Sequence, residues 1–186
     1  MYLTGMEEYK NTNIESNSSN FCMQWYESDP SLLEGEKMEM SKFFPNFTLD
    51  KLYDGRLYWM GELNPGIYET KFGVKKSYYV MVLYNNNYPL ITMGSPIKIY
   101  PVLPDADEII QECGGHLNGF LLDSEGNKHL CLNTWEETEL VGVAIPTSSI
   151  VFLARAMKWV CGLEFVLTGD LSIGEFNRYI SYGKQL

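Results

Sequence analysis

The sequence predicts an α+β domain in which an antiparallel meander sheet packs against helices, and three observations carry that prediction. Strand-type segments crowd the middle of the chain, a long apolar segment at helical spacing follows them, and no alternating βαβ pattern or internal repeat is visible. Strands grouped before a helix favour segregated layers over a parallel sheet.

Residues 1–20 form a polar lead, as in Ser16-Asn17-Ser18-Ser19-Asn20, whose composition cannot bury enough apolar surface to order itself. A single domain is expected over residues 21–186. Aromatic residues return from Phe21 to Leu57, and Pro30 and Pro45 limit this region to one or two short helices. Strand character then runs through Tyr58-Trp59-Met60 to the Asn64-Pro65-Gly66 turn and resumes at Ile67-Tyr68. Ser77 to Tyr84 reads as an unbroken strand, Asn85-Asn86-Asn87 as a turn, and Pro96 to Pro101 as a short edge strand bounded by prolines. The segments Gly119–Leu122 and Lys128–Leu132 flank the turn-forming run Asp123–Asn127 and predict an irregular hairpin, with Cys131 on its return arm. A helix opens at Pro146-Thr147-Ser148-Ser149, where a hydroxyl can cap free N–H groups. It continues through Ile150, Leu153, Met157, Val160 and Cys161 as the central core piece.

The 186 residues, 45% hydrophobic and 14% aromatic, suffice for one substantial core. Twenty-four acidic residues against 14 Lys and Arg give a formal charge of −10, which repels phosphate backbones and anionic lipid surfaces. Nucleic acid and membranes are therefore not the expected partners. Four cysteines, Cys22, Cys113, Cys131 and Cys161, are too sparse for a disulfide framework and suit a reducing compartment. The polar, acidic start carries no secretory signal, and Arg155, Lys158 and Glu164 interrupt the longest apolar run, so a cytoplasmic protein is expected.

The block from Cys113 to Trp135 gathers both histidines, His116 and His129, and two of the four cysteines. Three readings compete for it. As an acyl carrier, Cys131 needs a polar surrounding and a donor aimed at the developing oxyanion. The amide of Asn118 is the candidate, and loss of such a donor costs about 3 kcal/mol of barrier. As a zinc site, Cys113, His116, His129 and Cys131 offer a tighter spacing than zinc usually shows. As plain structure, Cys131 is a small buried hydrophobe, as Cys161 and Cys22 are expected to be, and the histidines fix loops by hydrogen bonding. Glu136, Glu137 and Glu139 read as a solvated face that can also dock a basic partner.

From Trp59 to Gly169 the order of these pieces resembles the ubiquitin-conjugating enzyme family in its bacterial branch. The likeness lies in Tyr78–Tyr84, Tyr88-Pro89, the proline-bounded Pro96–Pro101, His116-Leu117-Asn118 (His-Pro-Asn in the family), Leu130-Cys131-Leu132, Trp135, and the Trp159 helix that ends in Thr168-Gly169. Leu117 departs from the family proline, and Asn118 stands further before the cysteine than in eukaryotic members. The Asp123–Asn127 turn accounts for the extra length.

The resemblance implies a ubiquitin-conjugating (UBC-like) fold and a transferase activity. Cys131 would take the C-terminal carbonyl of a partner protein as a thioester and pass it to a target amine. Asn118 would steady the oxyanion, His116 would shape the loop, and no cofactor or metal would be required. Bacterial relatives of this kind often belong to CBASS antiphage systems, where the cargo is the C-terminus of a cGAS-like nucleotidyltransferase. ATP-dependent activation is then expected from another protein. The rival readings are a non-catalytic adaptor of the same fold that binds a protein tail, and a cysteine hydrolase pairing Cys131 with His116 or His129.

Overall fold

The computed structural model describes residues 23–91, 95–132 and 145–182. The polar lead, Cys22, Trp135 and the neighbouring glutamates lie outside the described residues. The fold is α+β. Two N-terminal helices, α1 (Trp25–Ser28) and α2 (Pro30–Phe43), precede strands β1 (Thr48–Lys51) and β2 (Leu57–Leu63). Helix α3 (Ile67–Phe72), strand β3 (Tyr78–Tyr84), the short β4 (Leu90–Ile91) and β5 (Ile97–Leu103) follow. Then come α4 (Ala106–Glu112), the hairpin of β6 (Phe120–Leu122) and β7 (Lys128–Leu130), β8 (Ile145–Pro146), α5 (Ser149–Leu167) and α6 (Ile173–Tyr182).

Strands β1, β2, β3 and β5 form one four-stranded antiparallel meander in that order, with β5 at an edge as its proline-bounded sequence predicts. Trp59 is paired with Val82 and Val82 with Ile99, so these side chains share the face that α5 covers. The opposite face carries Tyr58, Met81, Leu83 and Tyr100, a second apolar cluster. With both faces buried, β3 reads as an uninterrupted apolar run rather than an alternating one.

The main core joins Trp25 and Met40 of the N-terminal helices, the inner sheet face, and Phe152, Leu153, Ala156, Trp159, Val160 and Leu163 of α5. Helix α5 is thus the central core element. Its buried stripe runs through Phe152, Ala156, Trp159 and Leu163, while Cys161 is only half-buried.

Several expectations are corrected by contacts from far along the chain. Ile67-Tyr68 does not resume the strand; it opens α3. Gly66 turns the backbone at φ 73°, and the buried Glu164 accepts the N–H groups of Ile67 (2.8 Å) and Tyr68 (3.0 Å). A carboxylate there satisfies donors that a helix N-terminus leaves free. The start of α5 is likewise not capped by a local hydroxyl. Glu36 of α2 takes that role, accepting the Ser149 N–H (3.3 Å) and the Ser149 hydroxyl.

Pro30 does not shorten a helix but begins one. It stands at the first turn of α2, with Asp29 accepting the Leu32 N–H. The segment Thr48–Lys51 is a strand rather than part of a helical region, held in antiparallel register by Leu57–Met60. Helices α4 and α6 lie where no element is expected, although Asp105 with Glu108 and Ser172 with Glu175 are capping-box pairs legible in sequence.

Candidate functional site

The hairpin forms as its turn residues dictate. The Asp123 carboxylate accepts the N–H groups of Glu125 (2.9 Å) and Asn127 (2.8 Å), closing the loop, and the Tyr100 hydroxyl donates to its other oxygen (2.9 Å). Burial pushes the Asp123 carboxyl up, but the bonds from Asn127, Tyr100 and Glu125 outweigh it and leave the group below its ordinary value. Phe120 pairs with Leu130, Leu121 with His129 and Leu122 with Lys128. One further rung follows, in which the Cys131 N–H donates to the Gly119 carbonyl at 2.8 Å.

That rung sets the Cys131 backbone opposite Gly119, the residue that follows the His116-Leu117-Asn118 turn. Asn118, next to the residue that Cys131 pairs with, is exposed, as is His116, while Leu117 between them is buried and anchors the turn. Leu117 is thus an apolar plug between two exposed residues. Gly119 adopts φ 108°, and an added Cβ would lie 2.8 Å from Trp159 Nε1 and 3.3 Å from Ile180 Cγ2. Only glycine suits that backbone and that space.

The turn is clamped from the C-terminal helix. Asn177 of α6 accepts the Asn118 N–H through Oδ1 (2.8 Å) and donates through Nδ2 to the His116 carbonyl (2.9 Å). Sequence reasoning gives no hint of this residue, because its partners lie 59 and 61 positions away. Phe176 beside it is fully buried and meets the Trp159 ring edge-on at 5.4 Å, which fixes α6 on α5.

Cys131 is half-buried, and burial pushes its thiol above the ordinary value. Arg155 of α5 reaches the Leu132 carbonyl (3.4 Å) and lies over the Phe152 ring. His129 is buried, with Nδ1 3.1 Å from the Leu130 carbonyl and its ring edge-on to Tyr100 at 5.7 Å. Burial holds its imidazole below the ordinary value. Cys113 is buried at the end of α4, its thiol raised to about 11 by burial and by Glu112. Among the described residues no three His, Cys, Asp or Glu side chains are grouped to hold a metal ion, so the zinc quartet is not assembled. A cavity of about 360 Å³ opens beside the hairpin, lined by Ile97, Lys98, Ser124, His129, Leu130 and Phe152 among others.

No described helix is long and apolar enough to cross a membrane. Comparison with family models, curated proteins and solved structures finds no match to this chain.

Proposed function

We propose that this chain is an acyl carrier of the ubiquitin-conjugating kind, holding the C-terminus of a partner protein as a thioester on Cys131 and passing it to an amine. The observation that carries the reading is the rung between Cys131 and Gly119, which joins the cysteine to the His116-Leu117-Asn118 turn at the rim of a meander sheet backed by α5. Order along the chain and adjacency in space agree. An oxyanion donor has to stand near its nucleophile, and the backbone pairing of Cys131 with the residue after Asn118 is what supports Asn118 in that role.

In the first step the Cys131 sulfur attacks the activated carbonyl of the cargo, a C–S bond forms, and the donor's leaving group departs with the thiol proton. In the second an amine nitrogen attacks the thioester, the C–N bond forms, and the sulfur leaves and regains a proton. The Asn118 side-chain amide stabilises the oxyanion of each step, and His116 shapes the turn. The cargo fitting the resemblance is the tail of a cGAS-like nucleotidyltransferase in antiphage defence, with activation supplied by another protein.

A transfer of this kind does not need a thiolate–imidazolium pair, because the incoming acyl group is already activated. Burial is the cause of the raised Cys131 thiol, and the buried His129 faces Leu130 and Tyr100. That environment favours the carrier over a hydrolase using His129. It also gives weight to one alternative, an adaptor that binds a protein tail without bonding to it, since a raised thiol is a weak nucleophile.

The test compares wild type, Cys131→Ala and Cys131→Ser, each purified from the native host, by intact mass and non-reducing gel. An adduct that thiols release from wild type, that is absent from the alanine variant and that survives thiols on the serine variant supports the carrier. A wild-type protein that stays unmodified, even with candidate partners and their activating protein present, sinks it in favour of the adaptor.

A further inference from the structure

We infer that Asn177 is a positioning residue for the thioester site, an inference that rests on the carrier reading above. Its side-chain amide bridges both ends of the His116–Asn118 turn, accepting from the Asn118 backbone and donating to the His116 carbonyl. A primary amide is the side chain that offers an acceptor and a donor in one plane at this reach. Asn118 is exposed and its turn is followed by a glycine at positive φ, so the segment by itself has a choice of conformations. Two bonds from a helix seated by the buried Phe176 remove that choice.

The geometry beneath the turn agrees. Trp159 and Ile180 fill the space under Gly119, and the Gly119 carbonyl receives the Cys131 N–H. Helices α5 and α6 therefore fix the backbone on which both the nucleophile and the oxyanion donor stand. A donor misplaced by about 1 Å loses on the order of 100-fold in rate, so Asn177 acts on the reaction through Asn118 without touching the acyl group.

The experiment uses the full chain, loaded by a glycine-ended peptide thioester of mercaptoethanesulfonate and discharged in a single turnover to hydroxylamine. Asn118→Ala is expected to slow discharge about 100-fold, and Asn177→Ala about 10- to 100-fold. The double variant should be no slower than Asn118→Ala alone, because once the donor is gone its alignment is without effect. In parallel, amide hydrogen exchange followed by NMR should show the Asn118 N–H protected in wild type, exposed in Asn177→Ala, and still protected in Asn177→Asp, which keeps the accepting oxygen.

Normal loading with Asn177→Ala discharging at the wild-type rate overturns the role of Asn177 and leaves the carrier intact. Effects that multiply in the double variant overturn it too, since a merely structural loss behaves so. An Asn118 amide that exchanges equally in wild type and Asn177→Ala removes the geometric basis. A wild type that accepts no acyl group at Cys131 overturns the carrier itself, and the role of Asn177 in the reaction falls with it.

Discussion

Replacing Glu36 by leucine should destabilise the protein severely, because this carboxylate joins three layers of the fold. It is 4% exposed and accepts hydrogen bonds from the hydroxyls of Tyr84 (2.7 Å), Tyr88 (2.5 Å) and Ser149, with the Ser149 N–H at 3.3 Å. Trp59 Nε1 donates in turn to Tyr84 (2.8 Å). Leucine fills much of the volume but accepts nothing, so up to three hydroxyls lose an acceptor at roughly 1–3 kcal/mol each. Local rearrangement recovers part of that, and about 3–5 kcal/mol is the expected loss from three buried donors left unpaired at that cost each. Such a loss is a large share of the stability of an ordinary domain, about 5–15 kcal/mol.

Urea unfolding followed by tryptophan fluorescence reads this directly, since the Trp25 ring lies 4.6 Å from Tyr88 and 5.0 Å from Tyr84. Glu36→Gln keeps one accepting oxygen and should lose about half as much. Tyr88→Phe should cost less when made in the Glu36→Leu background than in wild type, with a coupling on the order of 1 kcal/mol. A Glu36→Leu protein within about 0.5 kcal/mol of wild type, the scatter of ordinary surface changes, would refute the reasoning.

Three further outcomes are expected. Gly119→Ala combines a positive-φ penalty of about 1–2 kcal/mol with an overpacking cost of about 1–3 kcal/mol against Trp159; a calorimetric melting temperature equal to that of wild type would contradict the steric account. His129 is held below its ordinary value of 6.5 chiefly by burial, and the unfolded chain therefore binds that proton first. Stability should accordingly fall as pH drops from about 6.5 through the folded value, and His129→Phe should flatten that part of the urea-midpoint profile; equal slopes in both proteins would disprove it. Lys98 and Asp123, the charged groups acting on this ring, pull in opposite directions and leave burial dominant. Finally, alkylation of Cys131 by iodoacetamide, quantified on its peptide by mass spectrometry, should rise with pH later than for an unperturbed thiol, and an earlier rise would reveal an activating partner.

Where no distant partner intervenes, the sequence alone determined the outcome. The apolar run at Tyr78–Tyr84, the proline-bounded edge strand, the Asp123–Asn127 turn and the apolar helix that ends near Leu167 all follow from periodicity and turn chemistry within a dozen residues. The hairpin arm that carries Cys131 was legible for the same reason, while its pairing with His116 and Asn118 as a site rested on the family resemblance and on the need for an oxyanion donor. What tertiary structure decided lies where one group answers another far along the chain.

Glu164 makes a helix of Ile67–Phe72, and Glu36 caps α5 from 113 residues away. Asn177 braces the turn that carries Asn118. In each case a backbone donor or acceptor freed at a helix end or a turn is satisfied by a side chain that only folding brings near. Unpaired backbone groups are costly to bury, so such distant partners override local propensity.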